Sequence, residues 1–312
     1  MKRYNDYSAY IRRRFGGRVQ KISVNAGFTC PNRDGTKGTG GCAFCNNSTF
    51  NPDYCDPRRS VGRQLDDGIA FFSPKYQTQN YLAYFQAYSN TYGDTATVLA
   101  KYREALAHPK VCGLVIGTRP DCLADDLLDA LADMAREVYV AVELGAESCS
   151  DATLSAINRG HTWAETCAAV NRLAERRIAV GLHMIMGLPG ESREFMLSEA
   201  DTLSALPVDF LKLHQLQIVS GSLFAGRYAS SPESFVLWRP DDYAAFCVDF
   251  AERLNPRIII ERFVSQAPRG MVLAPQWDIK NFEFTHLVDS LFLRRDTWQG
   301  RALGFGLDSL PA

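Results

Sequence analysis

Cys30, Cys42 and Cys45 stand in one glycine-rich stretch, FTCPNRDGTKGTGGCAFC, with the last two in a CxxC pair. Three thiolates from one loop can hold three irons of a [4Fe-4S] cluster and leave the fourth iron open to a small molecule. A structural zinc normally takes four ligands, and no second close Cys or Cys/His pair follows within about fifty residues. Zinc is therefore the weaker metal. A lone CxxC is often a chance pair in a loop. The third cysteine, at the carboxyl end of an apolar run, tips the balance, because Gly35, Gly38, Gly40 and Gly41 let the loop fold back toward it. Cys55 lies nearby but isolated, and it reads with Cys112, Cys122, Cys149, Cys167 and Cys247 as a buried or free thiol.

The elements that must carry this loop follow from hydrophobic patterning. Apolar runs of strand length over 20–28, 81–89, 113–118, 138–144, 178–186 and 210–219 alternate with helical patterns over 65–72, 95–107, 124–136, 163–176 and 194–205. That alternation implies an α/β protein with a parallel sheet covered on both faces. Spacing alone fits either a partial barrel or an open doubly wound sheet. Beyond Gly221 the alternation stops, and one further helix is predicted over 243–254. The chain thus divides into a basic N-terminal segment (1–19), a strand-helix domain (20–219) and a small C-terminal extension (220–312), read as a lid or substrate-facing unit.

Of 312 residues, 46% are hydrophobic and 22% charged, which excludes collagen-like, coiled-coil and disordered classes. The 34 basic and 35 acidic residues give a net charge of -1, so only local patches could attract a polyanion. One such patch is the first 21 residues, with seven basic side chains and one acid. The most apolar stretch, Ile178 to Leu188, is interrupted by Gly181 and His183, so no membrane span is expected. The start MKRYNDYSAY is not a secretory signal, and nine scattered cysteines do not suggest disulfides; the cytoplasm is the expected compartment. Dinucleotide and P-loop readings fail for want of their glycine spacing after the first strand.

The segment KISVNAGFTCPNRDGTKGTGGCAFCN resembles radical S-adenosylmethionine (SAM) enzymes of the branch that includes the elongator catalytic subunit and the oxygen-independent coproporphyrinogen oxidase. Within that branch it is similar to a bacterial group labelled YhcC-like or YtqA-like, over nearly the whole chain. Eleven residues separate the first two cysteines, where the commonest family pattern has three; long gaps occur in the elongator-like branch. The resemblance implies a partial (β/α)6 barrel of the TIM type, a [4Fe-4S] cluster on Cys30, Cys42 and Cys45, and SAM as cofactor. It places Phe44 beside the adenine. VELGAES followed by LSAINRGHT matches the branch pattern in which Glu147 faces the ribose and Arg159 forks onto the methionyl carboxylate. GLHMIMGLPGES resembles the adenine-contacting segment, with Ile185 lining the slot, Gly187 in the strand-end turn and His183 where some relatives have a ribose-binding Asp. His183 reads equally well as a core histidine. Gln86 and Ser89 in YFQAYSNTY stand where relatives bind the amino group with a Gly-rich segment, and they read equally well as plain strand-end polar groups. Arg119 and Asp121 are candidates for site electrostatics. Glu143 and Cys55 are left without a role, and no residue is assigned as catalytic.

The activity implied is reductive cleavage of SAM at the cluster to a 5'-deoxyadenosyl radical, with an electron donor such as flavodoxin or ferredoxin. Analogy with the elongator-like branch makes tRNA, at a wobble uridine, the leading substrate, against a small metabolite or a protein. Arg12, Arg13, Arg14, Arg18 and Lys21 lie among Tyr4, Tyr7, Tyr10 and Phe15, a pattern that supplies phosphate partners and stacking faces. The alternative is a solvated helix with its aromatic face on the barrel. Residues 253–301 add eight basic side chains against five acidic ones, so both ends of the chain are placed at the barrel mouth. Outside the enzyme class, the rival is a zinc- or Fe-S-stabilised binding or electron-transfer protein.

Overall fold

Strands β1 (Val19–Val24), β2 (Asn80–Phe85), β3 (Val111–Thr118), β4 (Tyr139–Glu147), β5 (Ala179–Met186) and β6 (Phe210–Gln215) lie side by side in chain order, all parallel. This computed structural model describes residues 2–75, 79–265 and 267–311. Beyond β6, β7 (Ile218–Val219) leaves the sheet and pairs with β9 (Val272–Ala274), while β8 (Ile259–Arg262) returns to β6 as the seventh strand of a curled partial barrel. The helices are α1 (Tyr7–Phe15), α2 (Val61–Phe72), α3 (Thr95–Leu106), α4 (Asp125–Glu137), α5 (Asp151–Ala156), α6 (Trp163–Glu175), α7 (Arg193–Ser204), α8 (Leu223–Ser230), α9 (Pro240–Arg253) and α10 (Asn281–Arg294).

Helix starts are set by short polar side chains. Ser60, Asp94, Ser150 and Ser192 each accept a first-turn N–H, and Thr162 with Glu165 closes a capping box on α6. The pleat then sorts each strand. In β4, Val140, Val142 and Leu144 face the outer helical layer with Leu127, Leu131, Val170 and Leu173. Tyr139 and Ala141 face the barrel interior with Leu82, Tyr84, Val115 and Phe210. Two covered faces explain why these strands read as continuous apolar runs.

The expected α/β partial barrel is present, and two finer expectations are corrected. The six-strand sheet has a seventh member, drawn from the segment that sequence reading assigned to a separate C-terminal extension. β8 is only four residues long, with Ile259 and Ile260 followed by Glu261 and Arg262, too short a pattern to read as a strand. Secondly, the aromatic residues near the N-terminus are not stacking faces for RNA. Ile11, Tyr7, Tyr10 and Phe15 plug the barrel interior, with Tyr7 and Tyr10 edge-on to Phe210 at 5.7 and 5.2 Å and Phe15 on Tyr139 at 5.3 Å. Tyr4 is buried against Phe263 and Phe292. Tyr139 and Phe210 are the first residues of β4 and β6, so α1 stops the amino-terminal end of the barrel. Arg12, Arg13, Arg14 and Arg18 are exposed there, away from the carboxyl ends of the strands. Lys21 lies inside the barrel, as described below. Among the described residues, no helix is long and apolar enough to cross a membrane.

Candidate functional site

The cysteine loop leaves β1 and folds over the carboxyl ends of the strands. Backbone turns close it, from Arg33 N to Cys30 O at 2.8 Å, Gly41 N to Asn32 O at 2.9 Å and Cys45 N to Cys42 O at 2.9 Å. Buried Asn32 pins it to the segment after α5, donating to Asn158 O at 2.6 Å and Arg159 O at 2.9 Å, and lies 3.7 Å from Cys42 Sγ. A side chain at Gly160 would meet Asn32 Oδ1 at 2.5 Å, and its φ of +72° is one that glycine adopts without strain. The RG of INRGHT is thus part of the loop's clamp.

One cavity gathers Cys30, Cys42 and Cys45 with Phe44, Gln86, Ser89, Glu147, Arg159, His183 and Ile185. Gly187 is not on its wall. That residue has φ +99°, and a Cβ there would lie 2.8 Å from the indole nitrogen of Trp238, which donates to Met186 O at 3.1 Å; its place is a packed turn. Phe44 and Ile185 belong to an apolar group above the strand ends with Leu188, Leu216 and Phe224. Gln86 accepts from Ser23 Oγ at 3.2 Å.

Arg159 sits buried between sulfur and carboxylate. Its Nη1 donates to Cys42 Sγ at 3.3 Å, and its Nη2 lies 3.4 Å from Glu147 Oε1 and donates to Gly145 O. Gly145 makes that approach feasible, because a Cβ would fall 2.5 Å from Glu147 Oε1 and 2.6 Å from Arg159 Nη2. Burial raises the Glu147 pKa, with Arg159 and then Arg119 pulling against it. Burial likewise pushes the Cys45 thiol up to about 11, with a further contribution from Cys42. Arg119 is held by a fork onto Asp121, both bonds 2.9 Å, and Lys37 adds a third contact at 2.7 Å. Burial raises Asp121, but those cations outweigh it and bring it to about 2.

Whether these residues suit a cluster and SAM can be judged from the unsatisfied donors. Among the described residues, Ser89 Oγ, Arg119 Nη1 and Arg159 Nε are buried without a partner, and all three residues border the cavity that the three thiols share. Unpaired buried donors are costly unless a ligand meets them, and an amino-acid carboxylate is such a ligand. The apolar pair Phe44 and Ile185 offers a slot for a base. The donor set fits. Among the described residues, no three His, Cys, Asp or Glu side chains gather closely enough to chelate a single metal ion.

Beneath the loop the barrel interior is charged. Glu143, left open by sequence reading, accepts from Lys21 at 2.8 Å, Lys212 at 2.6 Å and His183 Nε2 at 3.0 Å. Glu261 contacts the same two lysines at 2.6 and 3.1 Å. Burial would raise Glu143, but the two lysines overcome it and hold the carboxylate well below its ordinary range. Lys21 is therefore committed to the interior, not to phosphate. His183 stacks on His214, ring centres 5.2 Å apart, and Arg262 Nη2 reaches His214 Nε2 at 3.2 Å. Sequence reasoning missed Asn32, Lys212, His214 and Arg262 as members of the site. A signal existed for two of them: in FLKLHQ the polar Lys212 and His214 alternate with Leu211 and Leu213, so they share the inward face with Phe210.

Residues 30–201 match the Radical SAM superfamily, and residues 208–293 match the Radical_SAM C-terminal domain. The chain belongs to the radical SAM superfamily and is an enzyme of that class. Among its relatives are YhcC of Escherichia coli K12, 35% identical over 97% of this chain and 96% of that protein, and YtqA of Bacillus subtilis, 33% identical over 96% and 92%. A more distant relative is the tRNA uridine(34) acetyltransferase of Dehalococcoides mccartyi, 26% identical over 56% of this chain and only 38% of that protein. The fold is similar to that of archaeal Elp3 from Methanocaldococcus infernus, with a TM-score of 0.67 and 16% identity over 90% of this chain and 64% of that one. The superfamily uses SAM and a [4Fe-4S] cluster.

Proposed function

We propose that Cys30, Cys42 and Cys45 hold a [4Fe-4S] cluster, that SAM lies beside it in the same cavity, and that the enzyme acts on RNA, with a tRNA wobble uridine as the leading substrate. The observation that supports the cofactor reading is the sharing of one cavity by three thiols and three unpartnered donors. When bound, the pair supplies reductive cleavage of the sulfonium to a 5'-deoxyadenosyl radical, the electron coming from a flavodoxin or ferredoxin. The chain's own residues bind and orient. Arg159 and Ser89, with Arg119 behind them, take the methionyl carboxylate; Glu147 accepts from the ribose; Phe44 and Ile185 enclose the adenine and keep water from it. Arg262 at the end of β8, with Ser265 and Ala267 just after it, borders the cavity, so part of residues 220–312 forms its wall.

The RNA reading is supported by a distant relative whose name specifies tRNA uridine 34, over about half of this chain. A small metabolite is the second reading, favoured by the charged barrel interior. Anaerobic reconstitution tests the cofactor assignment: the wild-type protein should hold four irons and release deoxyadenosine. Cys42→Ala should lose both. Cys55→Ala should lose neither, because Cys55 Sγ donates to Ser23 O at 3.0 Å in a buried structural contact. Full iron content in Cys42→Ala would reject the ligand set. Nucleoside mass spectrometry of tRNA from cells lacking the gene tests the substrate, and an unchanged uridine-34 profile would move it to the metabolite class.

A further inference from the structure

Arg262 is a cation without an anion. Among the described residues its Nε is buried with no partner, its Nη2 meets only the imidazole nitrogen of His214, and no carboxylate pairs with it. The nearby carboxylates are spoken for, since Glu143 and Glu261 are both engaged by Lys21 and Lys212. Counted with neutral histidines, this barrel-interior group holds three cations, Lys21, Lys212 and Arg262, against two carboxylates, Glu143 and Glu261. His183 and His214, stacked on each other, border the same cavity as Arg262 and Glu143. Burial, followed by Lys212, brings the His183 pKa down to about 4, while burial and then Arg262 hold His214 well below its ordinary value. Both rings therefore stay neutral at physiological pH, so His214 Nε2 accepts from Arg262 and the positive charge is left uncancelled. Arg262 is half-buried and its Nε fully so, and a buried donor left without a partner is costly unless a ligand meets it.

Arg262, His214 and His183 border the cavity on its barrel side, whereas Cys42, Arg159 and Ser89 belong to the cysteine-loop side. We propose that Arg262 and His214 form a substrate subsite, distinct from the SAM carboxylate site, that takes an anionic group of the substrate, a phosphate or a carboxylate. Charge-assisted, forked bonding from a guanidinium suits both oxyanions. This inference rests on the cofactor reading above, because it assigns to the substrate the part of the cavity that SAM leaves free. The anion has two sources, a nucleotide phosphate or the carboxylate of a small metabolite.

The test is calorimetric titration of the reconstituted, SAM-saturated protein with inorganic phosphate, acetate and neutral uridine. Saturable binding of phosphate or acetate is expected, weakened about tenfold or more by Arg262→Gln and less by Arg262→Lys, which keeps the charge but loses the fork. His214→Asn is a second variant that leaves the arginine in place, and it should also weaken anion binding. Tighter phosphate than acetate assigns a nucleotide source; the reverse assigns a carboxylate metabolite. The subsite is rejected if SAM-saturated wild type binds neither anion, if uridine binds and the anions do not, or if both Arg262→Gln and His214→Asn bind anions as wild type does. Iron content and deoxyadenosine release by the wild type are read separately. A protein that passes those two and binds no anion loses the subsite alone.

Discussion

Replacing Arg159 with Gln separates what the guanidinium does for its neighbours from what it does for a ligand. The change leaves buried Glu147 without the cation 3.4 Å from its Oε1. An ionised carboxylate stranded in this way costs about 3–5 kcal/mol. The group has an escape, because it can take up a proton instead. Starting from an ordinary value of 4.5, holding that proton costs about 3.4 kcal/mol at pH 7 and about 0.7 kcal/mol at pH 5. Protonation therefore sets a ceiling on the loss, and the ceiling depends on pH. The sign follows from linkage: a carboxyl whose folded pKa is raised binds more protons folded than unfolded, so stability falls as pH climbs above 4.5. Wild type already bears part of this, since burial raises Glu147 even beside Arg159. A destabilisation of about 2–3 kcal/mol at pH 7, shrinking below about 1 kcal/mol at pH 5, is expected. Urea unfolding of anaerobic, cluster-free protein at both pH values measures it, and Glu147→Gln in the same chain should remove the pH dependence. An equal loss at pH 5 and pH 7, or no rescue by Glu147→Gln, would refute the reasoning. In reconstituted protein the same variant should bind SAM about 1.5–3 kcal/mol more weakly.

Glu199 carries a second pH signature. It is buried where it accepts from Cys149 N at 2.7 Å, and burial followed by the charge of Glu191 pushes it up to about 8. Its folded pKa exceeds the ordinary 4.5, so its contribution declines as pH rises from 4.5 to 8, by about 3–5 kcal/mol in total, and Glu199→Gln should flatten that decline. A wild-type slope unchanged by the substitution would sink this. Neutralising Arg12, Arg13 and Arg14 together should leave the salt dependence of RNA binding at the cavity nearly unchanged, whereas sequence reading alone implies a shallower slope. Loss of about two or more units of the log–log slope would show that RNA reaches around to α1.

The parallel sheet and its helices were legible because both faces of each strand are apolar and each crossover helix has its own period. That Cys30, Cys42 and Cys45 share one cavity was legible from their spacing in a single glycine-rich loop. What escaped was whatever depends on a partner distant in sequence. Glu143 gave no reading in its own strand, since its meaning lies in Lys21, Lys212 and His183, which sit on three other strands or their ends. Arg262 was one basic residue among eight in its region, and only the closure of β8 onto β6 brings it to His214. Gly187 was placed at the cofactor by its motif, yet the turn it makes is filled by Trp238, fifty-one positions later in the chain.

The N-terminal segment shows how the same residues lend themselves to two readings. Aromatic and basic residues interleaved over one helix describe both a nucleic-acid surface and an amphipathic plug, and the periodicity is identical in the two cases. Three-dimensional position decides between them. Tyr7, Tyr10 and Phe15 meet the first residues of β4 and β6, whereas the cysteine loop lies over the last ones. Nine residues of β4 separate those ends, about 30 Å at the rise of a parallel strand. A nucleotide whose base enters the cavity can have its neighbouring phosphates near the cysteine loop, but not against Arg12 to Arg14 at the other end of the barrel. Affinity for RNA, if that is the substrate, must come from cations at the mouth; Arg33 on the cysteine loop borders the cavity, whereas Lys37 is held by Asp121 at 2.7 Å. The loop proposed to carry the cluster would then also meet the RNA, so one loop conformation would serve both tasks.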